Sequence, residues 1–432
     1  MQKIIIKDFG PIKNCELFVK DYLVFIGPQA SGKSTVSKGI YFFKSLRDDL
    51  IRYILESIEK DNFEKAQGTF GKLIRSKYLK FWGPTYHLDE IYLEYQFKPG
   101  VSIKITLESN KKYITPSFSP DFKREFENIV NIAKQFSEKR KVGTAFLPIS
   151  ELLEVEFEKR SIFNTIRSLA NSLFEENKDL IFIPAGRSIL ATLSEQLQTI
   201  NPDKIDYLMM AFLERINHSK SIFNKSLSEL LMDKKKLTQD VIDFEKVKLA
   251  ENLVKAILKG NYISDADGEK IYFSNNKYVK LSYSSSGQQE VIWILHLIFL
   301  LILDNKEIFA VIEEPEAHLF PEAQKQLIDL IFLMGNINGN QIVITTHSPY
   351  ILSSFNNLLY AYKIAQMKPD DVSKIVRKEF HVAADKVGAY YVNKGMLENL
   401  VDDELGLLMT ERIDSVSKEI NEEYYQLYNL ED

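Results

Sequence analysis

"VFIGPQASGKST" (residues 24–35) decides the fold. An apolar run rich in Val, Phe and Ile stops at Gly27, a turn follows, and a helix is expected from about Lys33. The spacing is G-x-x-x-x-G-K-S, carried by Gly27, Gly32, Lys33 and Ser34. A strand that ends in such a turn and opens a helix presents a row of backbone N–H groups at a helix N-terminus, which suits phosphate. Gly27, Pro28, Gln29, Ala30, Ser31, Gly32, Lys33, Ser34 and Thr35 are therefore the candidate nucleotide-binding loop. Lys33 is expected to reach the β- and γ-phosphates of ATP, and Ser34 to ligate Mg²⁺. A plain Gly-rich turn before a helix is the bland alternative. The agreement of motif with context weighs against it.

Two further strand ends match this chemistry. In "IFAVIEEPEAHLFP" (residues 308–321) a buried strand ends in Glu313 and Glu314. Adjacent carboxylates at a strand end are costly unless a cation and water share the site. Glu313 is expected in the Mg²⁺ shell, and Glu314 to orient or deprotonate the attacking water. In "QIVITTHSPYIL" (residues 341–352) His347 stands where a strand stops. A lone His is more often a satisfied loop residue. Here its strand follows the carboxylates by about 30 residues, which makes adjacency in one sheet plausible. His347 is then placed to bond the γ-phosphate or the water.

"LSYSSSGQQE" (residues 281–290) is a second Ser/Gly loop, set before an intensely apolar helix. One chain already holds a phosphate loop, so the second is redundant within a single site. It is not redundant if it closes on the γ-phosphate held by another copy. Ser285 and Gly287 face the phosphate in one register, and Ser286 becomes the key serine if the register slips by one; Gln288 completes the motif. A solvated Ser-rich loop is the alternative.

Taken in order, "IKDFGPIKN", "VFIGPQASGKST", "LSYSSSGQQEV", "VIEEPEAHLFPEAQ" and "ITTHSPYIL" resemble an ABC-type ATPase of the SMC, RecF and OLD-like group. The run 284–288 resembles L-S-G-G-Q with serine in place of the first glycine, and "EEPEAHL" resembles the OLD-like branch, with "EAHL" at the D-loop position. "FIPAGRS" resembles a recurring element of that branch, which implies that Arg187 lies near the nucleotide. The resemblance implies ATP and Mg²⁺ as cofactors and a head-to-head homodimer or higher homo-oligomer. About 80 residues follow His347 and read as helix, so no Toprim nuclease domain is expected and a nuclease would come from another chain. This size resembles the stand-alone ATPases of anti-phage systems such as PARIS and Septu, which act with a separate effector.

Composition bounds these readings. The chain has 432 residues, 45% of them hydrophobic, enough for two or three structural units. A net charge of −5 gives no global positive field for nucleic acid, although local basic patches remain open. A single cysteine, Cys15, excludes a disulfide framework and suits a reducing cytoplasm. The N-terminus lacks a signal-peptide pattern. The longest apolar run, residues 291–303, is shorter than the roughly 20 residues of a span and carries His296, so a buried helix and no membrane partner are expected.

The expected fold class is α/β: an ABC-type P-loop ATPase head with an antiparallel β subdomain, helical insertions and a helical C-terminal tail. The expected divisions are 1–45 with the P-loop, 46–180 as a helical and hairpin insertion, and 181–202 as a core strand and loop. After these come 203–260 as a short helical arm, 261–365 with the signature, acidic pair and His347, and 366–432 as the tail. Hairpin turns are expected at Pro99-Gly100 and Asn275-Asn276.

Weaker signals leave alternatives open. "KLIRSKYLKFW" (residues 72–82) mixes basic side chains with Tyr78, Phe81 and Trp82 and could stack nucleic-acid bases, though a solvated helix with core aromatics is the commoner origin. The Lys run at 234–236 is similar. The last 32 residues hold ten Asp/Glu and two Lys/Arg, with Ile413, Val416, Ile420, Leu427 and Leu430 at helical spacing, which suits a docking helix or a cap. Three functions compete: a defence ATPase controlling an effector, a RecF- or SMC-like DNA-repair or DNA-tethering ATPase, and a nucleotide-locked assembly module with little turnover.

Overall fold

The computed structural model describes residues 1–108, 113–140, 149–193, 205–237, 243–274, 277–402, 404–409 and 415–430, with backbone alone at 139–140, 149–157, 191–193 and 415–418. The chain forms two compact units. The first comprises Met1–Val19, Thr35–Leu180 and Lys394–Met396; the second comprises Lys20–Ser34, Ile181–Asn393 and Leu397–Asp432.

The first unit holds antiparallel strands in the order Ile114–Phe118, Val101–Leu107, Tyr92–Lys98, Lys3–Phe9, Ile12–Phe18. Ile6 stands opposite Cys15 on one side and Leu93 on the other, so the period-2 pattern stacks apolar side chains on one buried face. The expected Pro99-Gly100 turn joins two of these strands. Helix Ala66–Trp82 buries Phe70, Ile74, Tyr78 and Phe81, and Lys77 pairs with Asp49 at 2.5 Å. Of the aromatics in the 72–82 run, Tyr78 and Phe81 are thus core residues and Trp82 is half-buried, with Tyr78 and Trp82 packed on Phe9. A buried Lys44–Glu176 ion pair completes this unit's polar interior.

In the second unit the strands Val387–Asn393, Tyr22–Ile26, Gln341–Thr346 and Ile308–Glu313 run parallel in that order, and strand Asp179–Ile183 is the next neighbour of Ile308–Glu313. Tyr22–Ile26, Gln341–Thr346 and Ile308–Glu313 are buried almost end to end, as parallel strands covered on both faces must be. Helix Ser286–Leu303 is long and apolar enough to cross a membrane by composition, yet it is buried against the core helices Phe244–Leu258 and Pro321–Gly335. It is a core helix.

Two expectations about organisation change. Residues 203–260 are not one arm: Tyr207–Lys220, Leu227–Leu237 and Phe244–Leu258 are separate helices, and the last buries Val247, Ala250, Val254 and Leu258 in the core. Residues 366–432 are not helical throughout. Val387–Asn393 is a sheet strand paired in parallel with Tyr22–Ile26, and among the described residues of this stretch only Ser415–Tyr428 forms a long helix. Val387, Tyr390, Tyr391 and Val392 in that strand are the β-branched and aromatic types that suit a sheet position. The Asn275-Asn276 turn, Ile413 and the Val416 side chain lie outside the described residues; strands Gly268–Ser274 and Lys277–Lys280 flank the turn.

Candidate active site

Sheet register assembles the site. Ile26 pairs with Thr346, and Thr345 with Glu313, so three parallel strands end side by side at Gly27, His347 and Glu314. Ligands of open α/β sheets bind at this carboxyl edge. Gly27 is required there: a Cβ would lie 2.2 Å from the Val392 carbonyl oxygen. The loop then turns through left-handed conformations at Ala30 and Gly32 and enters helix Lys33–Lys60. Such a path aims successive N–H groups inward.

Lys33 is buried, and its ammonium donates to the carbonyls of Gly27 at 2.9 Å and Pro28 at 2.8 Å. Burial pulls its pKa below the usual lysine range, with the carboxylates of Glu314 and Glu316 opposing. The same ammonium stands 3.4 Å from His347 Nδ1, and His347 Nε2 stands 3.1 Å from Glu314 Oε1. A cation can only donate, so Nδ1 accepts and Nε2–H donates to the carboxylate. Lys33, His347 and Glu314 therefore form one hydrogen-bonded chain with a defined imidazole tautomer. Glu314 sits at φ +43, anchored by its own N–H to the Thr345 carbonyl at 2.8 Å. This left-handed turn carries its side chain out of the strand's alternation.

Glu316 was not anticipated. Its Oε1 accepts from both Thr346 Oγ1 and His347 N at 2.7 Å, and so fixes the backbone that carries the imidazole. A third glutamate two residues after the acidic pair, across Pro315, was the signal that could have found it.

The residues fit a Mg²⁺-nucleotide. Ser31 Oγ, Thr345 Oγ1 and Glu316 Oε2 are buried without a hydrogen-bond partner among the described residues, around a loop shaped for phosphate. Among those residues no group of three or more His, Cys, Asp or Glu converges on a point. A cation held by Ser34 and Glu313 would thus complete its shell with phosphate oxygens and water, the usual mode for Mg²⁺.

The signature loop takes a defined form. Ser285 caps helix Ser286–Leu303, and Ser285 and Gln288 make a reciprocal capping box. Ser285 and Ser286 are exposed at that N-terminus. The Gln288 amide is committed to the Leu258 carbonyl at 2.9 Å. Gly287 packs on the backbone after the acidic pair: a Cβ there would lie 2.7 Å from the His318 carbonyl oxygen.

Arg187 is wholly buried. Its Nη1 donates to the Glu313 carbonyl at 2.7 Å and to that of Pro184, Nη2 to the Glu314 carbonyl at 2.9 Å, and Nε to the Glu290 carbonyl at 3.2 Å. Nη2 also stands 3.3 Å from Glu290 Oε1. The five guanidinium donors are thus all directed at protein oxygens, and the expected place of Arg187 near the nucleotide is a place behind the acidic pair. Glu290 was missed by sequence reasoning, although a lone carboxylate at the head of so apolar a helix signals a buried cation.

A parallel sheet whose adjacent strand ends carry a P-loop, an acidic pair and a histidine, with a capped Ser/Gly helix in the same unit, defines an ABC-type P-loop ATPase head. The chain belongs to the AAA ATPase domain family, which it matches over residues 1–352. Among solved structures it is similar to the SMC head domain from Thermotoga maritima, at 11% identity, covering 92% of this chain and 97% of that one with a TM-score of 0.36. It is also similar to an Smc head bound to the C-winged helix domain of ScpA, at 11% identity, 92% and 95% coverage and a TM-score of 0.39. A third is the Smc head domain with an extended coiled coil bound to the C-terminal domain of ScpA from Pyrococcus furiosus, at 11% identity, 98% and 100% coverage and a TM-score of 0.37. No curated protein matches the chain.

Proposed function

We propose that the chain hydrolyses ATP to ADP and phosphate as a head-to-head homodimer, and that closure of this dimer controls a separate effector protein, a nuclease or toxin, in anti-phage defence. The observation that carries the catalytic part is the Lys33–His347–Glu314 chain at adjacent strand ends. Lys33 binds the β- and γ-phosphates with the N–H groups of residues 29–35. Ser34 and Glu313 would hold Mg²⁺, which would supply charge neutralisation at the nucleotide phosphates. Glu314 accepts the proton of the attacking water at its carboxylate, and His347 Nε2–H keeps that carboxylate oriented. The exposed Ser285 and Ser286 of the second copy close on the γ-phosphate from the other side.

The effector part rests on the motif resemblance and on the acidic helix Ser415–Tyr428, where Ile420, Tyr424 and Leu427 stay exposed as a protein-docking face would. A DNA-tethering role draws less support, because Tyr78 and Phe81 are buried and Lys77 is paired. A nucleotide-locked module would not need the intact Glu314–His347 pair. The test is Glu314→Gln. Its turnover should fall about a hundredfold or more, as general-base removal does, while ATP binding persists and light scattering shows the dimer accumulating with ATP. Unchanged turnover, with loss appearing instead in Glu313→Gln, would reverse the two carboxylate roles.

A further inference from the structure

We infer that Arg187 and Glu290 form a positioning relay, by which the helix carrying a chain's signature serines sets the backbone that presents the same chain's catalytic carboxylates. The inference rests on the ATPase reading and adds residues that act through Glu313 and Glu314 without touching substrate.

Glu290 lies five residues after Ser285, on the first turns of helix Ser286–Leu303. It is fully buried, and its two oxygens accept from Arg187 N at 2.9 Å and Ser188 N at 2.6 Å. Arg187 then spans from this carboxylate to the carbonyls of Glu313 and Glu314. Those carbonyls are where the strand breaks into the left-handed turn at Glu314. A planar guanidinium with every donor committed is a rigid spacer, so a shift of Glu290 passes to the two carbonyls. A second contact follows the same route: Gly287 packs against the His318 carbonyl, with no room for a side chain between them. The signature end of the helix thus touches the carboxylate turn at both its start and its end. When a second copy's nucleotide engages Ser285, the strain reaches Glu314 of the chain that owns the serine. Each of the two sites of a dimer then adjusts the other's water-orienting group.

Glu290→Gln tests this, because it keeps the shape and removes one acceptor and the charge. Two readouts are needed. Hydrogen–deuterium exchange of the 314–319 segment, whose amides bond within the turn and to Thr345, should speed up about tenfold with exchange in helix Lys33–Lys60 unchanged. The variant's kcat should fall by about thirtyfold while its Kd for ATP, by calorimetry, stays within about twofold. If Glu290→Gln does not fold, Arg187→Lys, which retains charge but cannot span both carbonyls, takes its place with the same expectations. Unchanged exchange at 314–319, unchanged kcat, or exchange that rises throughout the chain overturns the relay. An inactive wild-type protein would refute the ATPase reading instead, and exchange at 314–319 would then decide the coupling alone.

Discussion

At the residue scale, the site depends on where single side chains find partners. In the proposed function Lys33 is the phosphate-facing cation, so Lys33→Ala should abolish productive ATP binding in calorimetry; near-wild-type affinity would remove the site. His296 gives a prediction of a different kind. It lies buried between Phe223 and Tyr262 with its Nδ1 bonded to the Ile292 carbonyl, and burial pulls its pKa down to about 4. Between pH 6.5 and 4 the unfolded chain binds a proton that the folded chain refuses, so stability falls as pH falls. The loss should be on the order of 2–3 kcal/mol by pH 4.5, from about 1.4 kcal/mol per pH unit. Urea unfolding at pH 7 and pH 4.5 should show that this part of the acid sensitivity disappears in His296→Leu; parallel losses in both proteins would contradict it. The motif residues were legible because each motif is local. Glu316, Glu290 and Arg187's true partners were not, because their bonds cross 31, 103 and 126–127 positions of chain, and no local pattern encodes such a distance.

At the element scale, most strands and helices around the site could be read from periodicity. The two strands ending at Glu313 and Thr346 fall within a residue or two of their expected bounds, whereas the P-loop strand Tyr22–Ile26 begins later than the apolar run from Leu17, and the signature helix begins at Ser286, ahead of the apolar run from Val291. Val387–Asn393 was missed because it sits among short helical turns, and its strand character is decided by pairing with Tyr22–Ile26. Its Val392 carbonyl is also what makes Gly27 obligatory. The signature helix offers the element's own test. Ser285 is exposed, and its capping bonds are the modest kind whose loss costs about 1 kcal/mol. Ser285→Arg should therefore leave folding and ATP affinity nearly intact and abolish turnover, since a bulky side chain there blocks closure on a second copy. Normal turnover in this variant would make the serine run a plain helix cap.

At the scale of the whole molecule, the central claim is that one chain holds half of each active site. Lys33, Glu313, Glu314 and His347 gather at one sheet edge, whereas Ser285 and Ser286 stand exposed at a helix N-terminus, where we propose they engage another chain's nucleotide. The dimer was suggested by the redundancy of two phosphate-binding loops in one sequence, which is a statement about chemistry and not about packing. Mixing Ser285→Arg with Lys33→Ala tests it most directly. In a mixed dimer one site joins the intact P-loop of the first chain to the intact signature of the second, and the other site carries both defects. Each variant alone should be inactive, and mixing should restore partial ATP hydrolysis together with an ATP-dependent dimer in light scattering. Two variants that stay inactive when mixed, although they dimerise, or activity restored without any dimer, would contradict the shared active site.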